Sequence, residues 1–221
     1  MDYIGKKIIV LGDSITAGCG ADSTENCFTS LINNEYGMNC QNYGIGGTRI
    51  ARQKKPSVEK DYDLDFCQRA SEMREDADIV AVFGGTNDYG HGDAPIGDFS
   101  DKTPDTFYGA LHYLYKTLIE KYPESFIFVI TPLHRKDDEN PRGEGKKETD
   151  IAPLKEYVRI IREVAEYYSL PVLDLFSDSG IQPDLPVLYK KYTVDGLHPN
   201  NRGHRLIAQR IVSFLSGYEL L

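Results

Sequence analysis

The chain has 221 residues, 40% of them hydrophobic, enough for one domain over residues 1–221 with a full core. A formal net charge of -9 argues against nucleic acid, whose phosphates need a basic surface, and against anionic membrane surfaces. There is no apolar stretch of membrane-span length and no zinc-ligand spacing among Cys19, Cys27, Cys40 and Cys67, and with a first strand placed near Lys7 no signal peptide is expected. Free thiols and a cytoplasmic location are therefore expected.

Five short apolar runs alternate with helical patterns. Residues 7–11 read as a buried strand that ends in Gly12-Asp13-Ser14. A weak helical pattern over 27–36 precedes a second strand, 39–43, which runs into Asn42-Tyr43-Gly44-Ile45-Gly46-Gly47-Thr48-Arg49. Residues 65–73 form another weak helix, and the third strand, 79–83, ends in Gly84-Gly85-Thr86-Asn87-Asp88. Thr103 reads as a cap, with Pro104 in the first turn of a helix whose apolar face is Phe107, Leu111, Leu114 and Leu118. A fourth strand spans 126–131. Leu154, Val158, Ile161, Ala165 and Tyr168 then repeat at helical spacing, before a fifth strand over 171–175. Leu206, Ile207, Ile211, Phe214 and Leu215 mark the last helix, which Asn200 is placed to cap. Continuous apolar strands alternating with helices predict a three-layer α/β/α domain around a five-stranded parallel sheet. The connections 88–103 and 133–150 are too long for plain loops; they read either as tolerated insertions or as lids over a pocket.

The chemistry-bearing residues follow the strands, where open α/β folds place their sites. Ser14 is presented by the Gly-Asp-Ser turn, with Asp13 bracing that turn. The alternative for this segment is ordinary helix capping. Asp195-Gly196-Leu197-His198 offers a carboxylate and an imidazole within one local turn, and a serine, an imidazole and an orienting carboxylate suit acyl transfer. His204 is a competing imidazole, but its place inside the last helix suits packing or a surface contact. The glycine cluster at 44–47 lets backbone approach a ligand, and lacks the third glycine of a dinucleotide fingerprint. Asn87 offers a neutral amide donor at the same sheet edge, or else only a turn residue. Arg49 suits either a carboxylate of the protein or a substrate group.

In order and spacing these blocks resemble the SGNH hydrolase superfamily, the GDSL esterases and lipases. That family is recognised by Gly-Asp-Ser, Asn-x-Gly-x-x-Gly, Gly-x-Asn-Asp and Asp-x-x-His blocks, and all four occur here between Gly12 and His198. Ile15 stands where leucine is usual, and Gly46 where serine is frequent. The resemblance implies a flavodoxin-like sheet of order 2-1-3-4-5. It implies Ser14 as nucleophile, His198 as base, Asp195 as orienting acid, and an oxyanion hole from Ser14, Gly47 and Asn87, with no metal and no cofactor. The expected activity is hydrolysis of a small-molecule ester, with a short acyl group such as acetyl, carried on a carbohydrate. Asp13, Arg49, Tyr89, His91, His134 and Arg135 form the candidate substrate-binding set. Lysophospholipase, thioesterase and acyltransferase activities would use the same residues, whereas a non-catalytic binding module would make the constellation accidental.

Overall fold

The computed structural model describes residues 3–145, 147–149 and 151–219. Among these, five strands pair in parallel: β1 (Lys7–Gly12), β2 (Asn39–Gly44), β3 (Ile79–Phe83), β4 (Phe126–Ile130) and β5 (Val172–Leu173). Their order, β2-β1-β3-β4-β5, is the one the family resemblance implies. The helices are α1 (Ser14–Ala17), α2 (Phe28–Tyr36), α3 (Phe66–Glu72), α4 (Thr86–Gly90), α5 (Phe107–Lys121), α6 (Leu154–Tyr167), α7 (Leu175–Asp178), α8 (Pro186–Tyr192) and α9 (Asn201–Leu215).

The period of two along each strand sorts the apolar side chains between two cores. Ile9, Leu11, Val80, Val82, Ile127 and Val129 face α3, α5 and α6, meeting Phe66, Leu111, Leu114 and Ile161. Their neighbours Ile8, Val10, Ile79, Ala81, Phe128 and Ile130 face α2 and α9, meeting Phe28, Ile32, Ile207 and Ile211. Each such Leu or Ile contributes about 1.5–3 kcal/mol on burial. Covering both faces in this way explains why the inner strands read as unbroken apolar runs.

Two boundaries differ from the sequence reading. The fifth strand shrinks to Val172–Leu173, because Asp174 turns the chain into α7 by accepting the Ser177 amide on its side chain. Helix α5 starts at Phe107 rather than beside Pro104, since the Thr106 hydroxyl, not Thr103, accepts the Gly109 amide at 3.0 Å. The Asn200 cap of α9 is as expected, its side chain accepting from the amides of Arg202 and Gly203. All four cysteines are free thiols; Cys27, Cys40 and Cys67 are buried and Cys19 is exposed. No helix among the described residues is long and apolar enough to cross a membrane.

Strand order reverses between β1 and β3, so the segments leaving these strands diverge and open a crevice at the carboxyl edge of the sheet. The turns after β1, β2 and β3 carry Ser14, Gly47 and Asn87 to that crevice.

Candidate active site

Ser14 is positioned by a capped turn. β1 ends at Gly12, and the Asp13 carboxylate accepts the Ile15 amide at 3.0 Å, which starts α1 at Ser14 itself. Asp13 is buried, and burial pushes its carboxyl up to about 6 against the opposing pull of the Ile15 amide, His198 and Arg69. It braces the turn and does not line the cleft.

The imidazole arrives from the far end of the chain through backbone contacts. A Cβ at Gly20 would lie 2.2 Å from the Pro199 carbonyl oxygen, so glycine there permits the 198–200 segment to lie against residues 19–22. The Asp22 amide donates to Asn201 Oδ1 at 3.0 Å, and His204 spans from the Phe28 amide to the Cys19 carbonyl. His204 is fully buried, and burial lowers its pKa. It is thus a neutral packing residue that accepts at Nδ1 and donates from Nε2.

His198 Nε2 lies 3.1 Å from Ser14 Oγ, and His198 Nδ1 lies 2.7 Å from Asp195 Oδ2. The other oxygen of Asp195 accepts the amides of Leu197 and His198, at 2.9 and 2.7 Å. Partial burial pushes the Asp195 carboxyl up, but His198 and these two amides together outweigh it and hold the group below its ordinary value. An ionised carboxylate only accepts, so Nδ1 carries the imidazole proton and the Nε2 lone pair faces the serine hydroxyl.

The donor side of the site comes from β2 and β3. Asn42 ties the end of β2 to α1: its amide nitrogen donates to the Thr16 carbonyl at 2.6 Å while its oxygen accepts the Gly44 amide at 2.8 Å. Gly47 has φ +74°, and a Cβ there would lie 2.2 Å from the Tyr62 ring, so both backbone conformation and packing require glycine. Asn87 Nδ2 donates to the Thr48 carbonyl at 3.0 Å. One N–H is spent in orienting the amide, and the second remains for a ligand. Asp88 accepts the amides of Ile50 and Ala51 at 2.9 Å each and so locks the loop after β2 onto α4.

Ser14, His198, Gly47 and Asn87 line a half-open cleft of about 720 Å³, together with Arg49, Tyr62, His91, Asp93 and Glu144. Of the candidate substrate-binding set, Arg49 and His91 reach this cleft. Arg49 is also held by the protein, donating to Asp63 Oδ1 at 3.0 Å, Ser57 Oγ at 2.7 Å and His91 Nδ1 at 3.0 Å. Tyr89, His134 and Arg135 do not line it, because each is engaged in fastening the 133–150 connection. The Tyr89 hydroxyl donates to the carbonyls of Asp137 and Asn140, Arg135 bonds Glu144 and the Thr86 carbonyl, and His134 meets Asp138 at 2.6 Å while lying against Phe176.

Sequence reasoning missed the cleft wall built by Gln53, Lys55, Pro56, Ser57, Glu59 and Tyr62. A signal existed: the connection from Gly44 to Phe66 is longer than either 88–103 or 133–150, the two connections read as insertions or lids. Among the described residues, no group of three or more His, Cys, Asp or Glu side chains is spaced to hold a metal ion.

Comparison with known proteins places the fold and the family. No curated protein sequence matches the chain. A solved protein from Lactobacillus plantarum is 33% identical, with TM-score 0.83 over 98% of this chain and 99% of that one. A lipase/acylhydrolase from Enterococcus faecalis (23% identity, TM-score 0.63, 96% of each chain) and an acetyl xylan esterase (23% identity, TM-score 0.59, 95% of this chain and 99% of that one) share the fold. Residues 10–206 match the GDSL-like lipase/acylhydrolase family. The chain belongs to this family, whose members are hydrolases acting on esters.

Proposed function

We propose that the protein is a serine esterase that hydrolyses short-chain acyl esters of polar alcohols, acetylated carbohydrates among them, through an acyl-enzyme. The observation that carries this reading is the continuous chain of contacts from Asp195 to His198 to Ser14, at 2.7 and 3.1 Å. His198 Nε2 takes the Ser14 proton as Oγ attacks the ester carbonyl. The carbonyl oxygen becomes an oxyanion, which the amides of Ser14 and Gly47 and the free N–H of Asn87 stabilise. As the tetrahedral intermediate collapses, the ester C–O bond breaks and His198 gives its proton to the leaving alcohol. Water then enters, loses a proton to His198 and releases the acid, returning Ser14 to its hydroxyl form. Asp195 stays ionised and holds the imidazole in the required tautomer.

The residues lining the cleft support the choice of substrate. Gln53 brings an amide and Lys55, Glu59, Asp93 and Glu144 bring charges to its wall, with Tyr62 and His91 as aromatic surface. These polar groups, set among apolar surface, are placed to hydrogen-bond a hydroxyl-rich leaving group, and the aromatic faces to stack against a sugar ring. The acetyl xylan esterase of the same fold agrees with this choice. The test combines a fluorophosphonate probe with a panel of p-nitrophenyl esters of graded length and acetylated sugars. The parent protein is expected to take the label and prefer acetyl esters, and Ser14→Ala to lose both labelling and turnover while keeping its fold. Normal turnover by Ser14→Ala refutes the mechanism, and a preference for long acyl chains refutes the substrate class.

A further inference from the structure

We propose that Arg69 is a positioning residue that sets the distance between the Ser14 and Gly47 amides of the oxyanion hole. This inference rests on the esterase reading above. Arg69 lies on α3, is 5% exposed, and is absent from every motif. Among the described residues, no carboxylate takes its hydrogen bonds. Its guanidinium instead donates to oxygens of the two turns that flank the reacting centre and to the carbonyl just before its own helix. Nη2 donates to the Gly12 carbonyl at 2.9 Å and to Thr48 Oγ1 at 3.0 Å, Nη1 to the Tyr43 carbonyl at 2.7 Å, and Nε to the Leu64 carbonyl at 3.1 Å.

The acceptors explain the role. Gly12 is two residues before Ser14, and its carbonyl also accepts the Ile45 amide at 3.2 Å, from the glycine loop itself. Thr48 follows Gly47, and its hydroxyl donates to the Ile45 carbonyl at 2.8 Å. One rigid, planar group therefore bridges the turn that presents one donor and the loop that presents the other. The clamp is charged as well as buried: burial pulls the Arg69 pKa down to about 10, which leaves the guanidinium protonated at neutral pH. Its plane lies over the Phe66 ring, 4.8 Å from the centroid, so its orientation is set from below as well. Lysine at this position would keep the charge but could not reach acceptors on both turns with fixed geometry.

The test compares Arg69→Lys and Thr48→Val with the parent on p-nitrophenyl acetate, and measures inhibition by butylboronic acid, whose tetrahedral adduct occupies the oxyanion hole. Thr48→Val removes the Arg69 link together with the hydroxyl's bond to the Ile45 carbonyl and keeps side-chain shape, so it tests the tie between clamp and glycine loop if Arg69→Lys does not fold. Arg69→Lys is expected to lower kcat about 100-fold, the cost of misplacing a donor by roughly an ångström, with KM within about threefold. Thr48→Val is expected to lower kcat roughly tenfold. Boronate affinity should fall in step with kcat in both. A purely structural arginine would lower the unfolding midpoint and leave kcat and boronate affinity of the folded protein within about threefold of the parent, and that result overturns the proposal. Turnover surviving in Ser14→Ala would instead overturn the esterase reading, so the two failures are distinguishable.

Discussion

Replacing Asp13 by asparagine tests whether the turn that carries Ser14 is held at an electrostatic cost. Asparagine preserves shape and keeps an oxygen to accept the Ile15 amide. It removes the charge that burial disfavours. The carboxyl is moved from 3.8 to about 6 in the folded protein, net of the favourable pull of Arg69 and His198. At about 1.4 kcal/mol per factor of ten, the shift corresponds to about 3 kcal/mol. Its sign follows from the raised folded-state value. The parent enjoys the full contribution of protonated Asp13 below pH 3.8 and loses it as pH rises through 6. Asp13→Asn mimics the protonated form at every pH, so its advantage should be near zero at pH 4, grow to about 3 kcal/mol by neutral pH, and then level off. For a chain of this length the plateau is a rise of about 6–12 °C in Tm. Urea unfolding of both proteins between pH 4 and 8, followed by far-UV circular dichroism, measures the difference directly. A difference independent of pH would refute the argument. So would an asparagine variant that becomes less stable as pH rises, because Asp13 would then be a stabilising anion paired with Arg69.

Asn87→Ala removes one donor from the proposed hole and should lower kcat about 100- to 1000-fold with little change in fold, read from steady-state kinetics on p-nitrophenyl acetate. A loss below tenfold would take Asn87 out of the hole. Gly47→Ala places a Cβ where φ is +74° and the Tyr62 ring stands 2.2 Å away. The backbone part alone should cost about 1–3 kcal/mol, and the double variant with Tyr62→Ala should recover the steric remainder in urea unfolding. Equal stability of the single and double variants would show that Tyr62 does not press on that loop.

The sheet was legible because its inner strands are covered on both faces, which leaves an unbroken apolar signature between turn residues. β5 was legible in place but not in length, since the Asp174 cap that ends it depends on where the following helix packs. Asp195 and His198 were legible because their contact is local, three residues apart on one turn. Arg69 was not. An arginine in a short, weakly periodic helix reads as a solvated side chain, and it is the carbonyls of Gly12 and Tyr43 and the Thr48 hydroxyl, brought in from other segments, with the Leu64 carbonyl beside its own helix, that make its burial tolerable. Tyr89, His134 and Arg135 were drawn toward the substrate by their chemistry, when their use is to fasten a connection that has few apolar groups. Their polar side chains do for 133–150 what Leu and Ile do for the helices.

Under the proposed mechanism, this division of labour separates chemistry from selectivity. Ser14, Gly47 and Asn87 sit on short turns tied to strand ends, and the ties run through Arg69, Asn42 and Asp88 to the sheet and to one another. The cleft wall belongs to the long connection before α3, which is fastened chiefly by polar contacts: Asp63 takes Arg49 at 3.0 Å and the Ser57 amide at 2.9 Å, and Asp93 takes the amides of Lys54 and Lys55 at 2.7 and 3.0 Å. Val58, at the crest of that wall, is 98% exposed and contributes nothing to either core. Substitutions between Gln53 and Glu59 can therefore reshape what the cleft admits while the spacing of serine, imidazole and donors stays as it is. Arg49 is the exception, since it touches both the wall and His91. A change there alters the selective surface and its anchoring together.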